Sequence, residues 1–381
     1  MAVGLYIHVP FCLRKCNYCD FISFPVEEKA VEQYVQSLRG EMALLSKLLN
    51  PEEQTLETIF LGGGTPTCLN TPQLGNILAA IREYFSWSQD GIPIEVTVEA
   101  NPGTLSLDKL EKLRRSGTNR LSLGVQAFQD KLLTRLGRIH REEDIGKAVR
   151  MAREVDFANL NLDLIYGIPG QTMEQWRESL QRAVYLGTEH IAAYSLKIEK
   201  GTPFHQALVK GELSPCDEEL ELEMYLFAID FLKSQGFHHY EISNFAVPGK
   251  ESRHNLIYWE NRSYIGLGPG AHSSWRNRRT VNPGSIGEYA EAITSGVLPA
   301  REDEVITKEI AMSETMFLGL RLIDGVDLDA FARRFGVRAE DIYRDAITGL
   351  VMKGLVEVDQ NRLRLTPQGL PLANQVFQAF V

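Results

Sequence analysis

Apolar positions along the first two thirds of the chain fall into two alternating patterns. Short runs rich in β-branched and aromatic residues occur at 5–9, 58–61, 95–99, 120–125, 160–165 and 191–198, and each reads as a strand. Between and after them, apolar residues recur at helical spacing over 29–49, 72–85, 107–116, 142–155, 173–185 and 217–234. The first of these helices is expected to stop near Asn50-Pro51, because proline cannot continue a helix. Strands that each hand over to a helix predict a parallel sheet, since parallel neighbours need a crossover and the crossover is usually helical. The pattern does not choose between an open doubly wound sheet and a barrel.

Beyond Phe245 the alternation stops. Residues 246–300 are rich in Gly, Pro, Asn, Ser and Arg and are expected as a loop-rich segment packed on the sheet, because Tyr258, Trp259, Tyr264 and Trp275 need burial. In the remainder, helical spacing covers 307–320, 328–335 and 339–353, and two short β runs at 355–358 and 363–366 flank Asp359-Gln360-Asn361. The expected organisation is an α/β unit over 1–245, the loop-rich segment 246–300 and a winged-helix-like C-terminal unit 301–381.

Composition narrows the class. A chain of 381 residues with 44% hydrophobic residues can bury a large core. A formal net charge of -10 works against nucleic acid and anionic bilayers, and the C-terminal unit has no basic stripe, so no nucleic-acid partner is expected. No run of about eighteen apolar residues and no basic-then-apolar leader occur, so neither a transmembrane segment nor export is expected. Cys68 and Cys216 stand apart as isolated thiols, which fits a reducing cytoplasm. Arg276, Arg278 and Arg279 beside Trp275 form a local basic patch for an anionic ligand or, equally, a solvated charged loop.

The densest chemistry lies in Cys12-Leu13-Arg14-Lys15-Cys16-Asn17-Tyr18-Cys19, directly after the first strand. Three thiolates so close in a loop can converge on a metal centre, and sulfur ligands suit zinc, copper(I) or an iron-sulfur cluster. A zinc loop would have to borrow His8, Cys68 or Cys216, whereas three cysteines on a cubane leave one iron open. Three reduced thiols without metal are the plain alternative. After the second strand, Gly62-Gly63-Gly64-Thr65 lets the backbone approach a ligand. Glu99, Gln126 and Asp163 fall in or just past three strands, where they can face one ligand across a barrel mouth, although each alone reads equally as a cap or a core hydrogen bond.

The spacing C-x-x-x-C-x-x-C with Tyr18 before its last cysteine resembles the radical S-adenosylmethionine (SAM) superfamily. The resemblance implies a partial (β/α) barrel, a 4Fe-4S cluster on Cys12, Cys16 and Cys19, and SAM chelated to the open iron, with Tyr18 among the cofactor contacts. The run Gly62-Gly63-Gly64-Thr65-Pro66-Thr67 is similar to the subgroup that contains oxygen-independent coproporphyrinogen III oxidase. That likeness implies Gly63, Gly64 and Thr65 at the SAM amino group. It implies Glu99 of Glu99-Ala100-Asn101-Pro102, Gln126 and Asp163 at the ribose, carboxylate or adenine side, Arg138 at the carboxylate and Tyr6 near the methionyl end.

Two departures separate the chain from the oxidases. Phe21 stands where they carry a further cysteine, and Cys12 lies almost at the start where they carry an extension. His254-Asn255-Leu256-Ile257-Tyr258-Trp259 matches the H-N-x-x-Y-W motif of the haem chaperones related to the oxidase. That resemblance implies haem as cargo, delivered to an apo-haemoprotein such as a membrane-bound respiratory enzyme, with the cluster and SAM regulatory or structural. His254 is then the expected axial ligand, with Asn255 orienting it, Tyr258 and Trp259 packing on the macrocycle, and His272 a weaker alternative. The arginine patch would meet the propionates. The alternative is a true enzyme, an anaerobic coproporphyrinogen III oxidase. Gly266-Leu267-Gly268-Pro269-Gly270-Ala271 matches a dinucleotide fingerprint by letters only, since no amphipathic helix follows it.

Overall fold

The computed structural model describes residues 3–89 and 92–381. Six parallel strands, β1 (Val3–Val9), β2 (Leu56–Gly63), β3 (Glu95–Ala100), β4 (Arg120–Gln126), β5 (Leu160–Tyr166) and β6 (His190–Ser195), stand side by side in chain order. The helices α1 (Glu28–Ser46), α2 (Thr71–Tyr84), α3 (Leu107–Arg115), α4 (Glu142–Glu154), α5 (Met173–Tyr185) and α6 (Glu218–Ser234) follow them within two residues of the expected bounds at most ends. Alternation along each strand sends Leu5, Ile7, Ile59, Leu61, Val96, Val98, Leu121 and Leu123 into the apolar core against the helices. The other face carries Gly4, Tyr6, Thr58, Phe60, Arg120, Ser122, Asn161 and Asp163, so the inside of the curved sheet is polar.

Past β6 the chain turns back. β7 (His238–Glu241) forms the edge and pairs antiparallel with β8 (Asn244–Ala246), which in turn pairs antiparallel with β6. The segment expected to be loop-rich is more regular than its composition suggests. It forms helix α7 (Arg253–Trp259), then β9 (Tyr264–Leu267), a seventh parallel strand on the far side of β1, followed by His272–Trp275 and Arg278–Val281 and the helix Ile286–Thr294. Glycine on either side of Leu267 hid this strand. Gly266 and Gly268 are needed because a Cβ at 266 would meet the His272 carbonyl oxygen at 2.0 Å and one at 268 the His8 carbonyl at 2.5 Å. The strand that follows confirms that no helix succeeds the Gly266–Ala271 turn.

The C-terminal part builds a second apolar cluster around Met316, Phe331, Leu350, Leu363 and Val376. Helices Lys308–Gly319, Leu328–Phe335 and Arg344–Met352 pack against a small antiparallel sheet that includes the hairpin Val356–Asp359 and Arg362–Leu365. The single helix expected over 339–353 is broken at Tyr343.

Candidate functional site

The cysteine loop leaves the C-terminal end of β1, where the ends of β2 to β6 meet around a cavity of about 470 Å³. Cys12, Cys16, Cys19 and Tyr18 form one wall. Gly63, Gly64 and Thr65 form the next, and Glu99, Gln126, Arg138 and Asp163 the rest. Eleven residues far apart in sequence thus meet here, together with Phe21, which is exposed at the rim.

Backbone geometry shapes the walls. The N–H of Gly64 donates to the Val9 carbonyl (2.9 Å) and that of Thr65 to Phe11 (2.7 Å), which stitches the glycine turn to the cysteine loop. Thr65 Oγ1 lies 3.6 Å from Cys12 Sγ. Gln126 has φ +68, and the β4–β5 register shifts between Gly124 and Gln126, so the strand end is kinked and its side chain turned towards the cavity. Asn101 was not singled out from the sequence. Its amide donates to Thr65 Oγ1 (2.9 Å) and its carbonyl oxygen accepts from Arg138, whose other amine reaches Cys16 Sγ at 3.5 Å. The signal for it lay in the quoted Glu99-Ala100-Asn101-Pro102 run. Tyr194, at the end of β6, also lines the cavity and had no sequence signal beyond its position on a strand end.

Two carboxyls stand in the floor. Gly63 N–H donates to Glu99 Oε2 (3.0 Å), while Asp163 accepts from Ser122 Oγ (3.1 Å) and Asn161 Nδ2 (2.7 Å). Burial and then the neighbouring Asp163 charge push Glu99 up to about 8, and burial also raises Asp163. Burial raises the Cys12 and Cys19 thiols as well, Cys19 to about 11, so metal binding there must displace protons.

The donor set favours a cluster over zinc. Among the described residues no three His, Cys, Asp or Glu side chains converge on one ion. His8 is held by the Ile22 carbonyl (2.9 Å) and the Tyr6 hydroxyl (3.0 Å), and Cys68 and Cys216 lie outside the cavity wall. In a cubane each cysteine meets its own iron, so convergence on one point is not required.

Several expected site residues are placed elsewhere. Tyr6 lies beneath the cavity, between His8 and Phe60, rather than on its wall. The H-N-x-x-Y-W motif forms α7, which plugs the opposite, N-terminal end of the strands. His254 is 0% exposed, stacked on Phe60, with Nδ1 2.7 Å from Thr58 Oγ1 and Nε2 2.8 Å from the Tyr258 hydroxyl. Burial, and then the charge of Arg120, hold this imidazole down to about 3, so it is neutral with neither nitrogen free. Glu95 accepts from the backbone N–H groups of Arg253 (3.1 Å) and His254 (3.0 Å) and fixes the start of α7. Trp259 is covered by the Arg321 guanidinium, and Asn255 and Tyr258 are partly buried. His272, by contrast, is exposed.

In the arginine patch each guanidinium has an acidic partner. Arg276 pairs with Glu53, Arg278 with Asp303, and Arg279 with Glu304 and Glu314. Acidic residues distant in sequence neutralise all three, so the run of like charge is not a free anion site.

Comparison with known proteins agrees with this geometry. Residues 6–183 match the radical SAM superfamily, and residues 306–372 match the HemN C-terminal domain. The chain is 40% identical over 376 residues to Heme chaperone HemW of Bacillus subtilis (strain 168), covering 99% of this chain and 98% of that one. The chain belongs to the HemW family. Membership extends to distant bacteria, since Heme chaperone HemW of Escherichia coli (strain K12) is 31% identical over 390 residues, with 100% and 98% of the two chains covered. The HemW-family chain also shares its fold with the solved coproporphyrinogen III oxidase (HemN) of Escherichia coli, at a TM-score of 0.86 and 23% identity over 100% of this chain and 90% of that one. At that identity the likeness establishes the partial barrel and its C-terminal unit alone.

Proposed function

We propose that this HemW-family chain is a haem chaperone that binds haem and passes it to an apo-haemoprotein, with a 4Fe-4S cluster on Cys12, Cys16 and Cys19 and SAM in the adjoining cavity. The observation that carries the haem reading is full-length similarity to proteins named heme chaperones. The cofactor reading rests on the cavity itself. Three thiols share a wall with a glycine turn that admits no side chain, since a Cβ at Gly64 would meet the Phe11 carbonyl at 2.6 Å. Glu99 and Asp163 offer acceptors to a cationic ligand and its hydroxyls, Thr65 and the Gly63–Gly64 backbone offer dipoles, and Arg138 offers a cation to a carboxylate. When bound, a cluster with an open iron supplies an electron to SAM or a fixed platform for it. The chain's own residues orient the ligand and screen it from water.

Haem ligation by His254 carries a structural condition. The ring must leave Thr58 and Tyr258, so α7 has to withdraw from the strand ends before Nε2 can meet iron. His272 needs no such opening. The division into a barrel over 1–245, a motif-bearing segment over 246–300 and a C-terminal unit is proposed on the same footing, with β9 of the middle segment completing the barrel sheet. A cytoplasmic setting is proposed from five free cysteines, and among the described residues no helix is long and apolar enough to cross a membrane. The client class remains an apo-haemoprotein, membrane-bound respiratory enzymes included.

The test is an anaerobic haem titration of cluster-reconstituted protein, read at the Soret band, with His254→Ala and His272→Ala alongside, followed by transfer to an apo-haemoprotein. Saturable binding and transfer are expected. Consumption of coproporphyrinogen without haem transfer overturns the reading in favour of the oxidase. A Soret band altered only by His272→Ala moves the ligand to the exposed histidine.

A further inference from the structure

One guanidinium inside the barrel has no hydrogen-bond partner among the described residues. Arg120 opens β4 and is 2% exposed, yet its Nε has no hydrogen-bond partner, and among the described residues its side chain makes no hydrogen bond or ion pair. Ser122 and Gly124, next on the same face of the strand, line the cavity, so Arg120 stands one step beneath its floor. Its register partner on β3 is Thr97, whose hydroxyl is likewise buried and unpartnered. Two orphaned polar groups on neighbouring strands fit a bridging water, as buried polar groups seldom lack a partner.

A buried cation without a contact ion pair must be answered by charges at a distance. The floor supplies them. Burial raises both Glu99 and Asp163, and the Arg120 charge acts in the opposite direction on each. The other groups facing this pair do not replace it. Tyr6 on β1 and Tyr194 on β6 are neutral phenols held up by burial, and Ser122 and Asn161 contribute dipoles. Arg138 bears on Asp163 but is engaged by Asn101 and the Gly124 carbonyl. Glu95, on the same face of β3, caps α7, and Glu241 is bound by Asn244 and faces Arg321. His190 and His254 are buried as neutral rings and add no positive charge.

We propose that Arg120 is a positioning residue, the fixed counter-charge beneath the floor that lets Glu99 and Asp163 hold a cationic ligand. The inference rests on the reading that the cavity takes SAM, which carries a sulfonium and an ammonium group. Arg120 touches no ligand in this arrangement and acts through the two carboxyls.

The experiment is calorimetric SAM binding to the cluster-reconstituted full chain between about pH 6 and pH 9. In wild type, affinity rises with pH as Glu99 ionises. Arg120→Met and Arg120→Gln, two neutral replacements of different polarity, each raise the midpoint by about one pH unit and weaken binding at neutral pH about tenfold. Arg120→Lys keeps the midpoint in place. A purely structural role would lower affinity without moving the midpoint, and that result overturns the inference. So does a lysine variant displaced as far as the methionine one. Wild-type protein that binds no SAM at all overturns the SAM reading itself, whereas wild-type binding with a flat pH profile overturns the charge role alone.

Discussion

Thr58 Oγ1 and His254 Nδ1 are 2.7 Å apart although 196 positions separate them along the chain. This bond fastens α7 to the N-terminal end of β2, and Tyr258 holds the other ring nitrogen. His254→Ala therefore removes a buried ring stacked on Phe60 and leaves two hydroxyls without partners. Such a loss costs about 2–4 kcal/mol. Urea denaturation of the haem-free protein measures it directly. A change below about 0.5 kcal/mol would mean that the ring does not support the fold as described.

The same imidazole makes stability pH-dependent. Its folded pKa lies at about 3, depressed by burial and by Arg120, against about 6.5 in the unfolded chain. On the acid side the unfolded chain takes up a proton that the folded chain refuses, so this contribution is complete above about pH 6.5 and is lost as pH falls towards 3. Comparing wild type with His254→Gln isolates it. Between about pH 6 and pH 4 the stability difference should shrink by roughly 1.4 kcal/mol per unit, against the wild type. Parallel curves for the two proteins would refute the assignment.

The ion pairs of the hairpin lead to a third expectation. Arg276 binds both oxygens of Glu53, with the Trp275 indole N–H on the same carboxylate, and Arg278 and Arg279 meet acids on the neighbouring strand and helix. Exposed pairs such as Arg278–Asp303 are worth about 0–1 kcal/mol each, whereas Glu314 is buried and would be left unpaired without Arg279. Replacing all three arginines with alanine should leave haem affinity unchanged within about twofold while lowering thermal stability, chiefly through Arg279. A tenfold loss of haem affinity would restore the patch as a propionate site.

How far the sequence reveals this molecule depends on the range of the interactions involved. Local signals worked where they were complete. The helix Met173–Tyr185 starts at Thr172 with a reciprocal bond to Gln175, and Leu328–Phe335 runs from an Asp327 cap to Gly336 in the left-handed region, so both were delimited from residues alone. The cavity was legible for a different reason, since its groups sit at strand ends and share a recognisable order. Tyr264–Leu267 escaped because a four-residue strand holding a glycine has no usable period. The surroundings of the arginine patch and of His254 were not legible, because their partners are remote in the chain. Glu53, Glu314 and Thr58 lie 223, 35 and 196 positions away from the residues they satisfy, and no local pattern reports such a distance.

The glycine turn offers the sharpest test of how the cavity is built. Gly64 N–H donates to the Val9 carbonyl, and a Cβ on Gly64 would lie 2.6 Å from the Phe11 carbonyl oxygen, 2.7 Å from that of Val9 and 2.8 Å from the Phe11 nitrogen. All three are backbone atoms at the root of the cysteine loop, and they cannot swing aside as a flexible side chain would. Gly64→Ala must therefore push the turn away from the loop, separating Thr65 from Cys12 and widening the wall that carries the three thiols. The expected result is at least a tenfold loss of SAM affinity and a fall in iron retained after anaerobic reconstitution from about four per chain. Gly349→Ala serves as the control, because that glycine lies within the helix Arg344–Met352 with no atom within 4 Å of an added Cβ. It should keep the iron and gain about 0.5–1 kcal/mol of stability from the higher helix propensity of alanine. Equal iron retention in the two variants would show that the cysteine loop holds its cluster without support from the second strand.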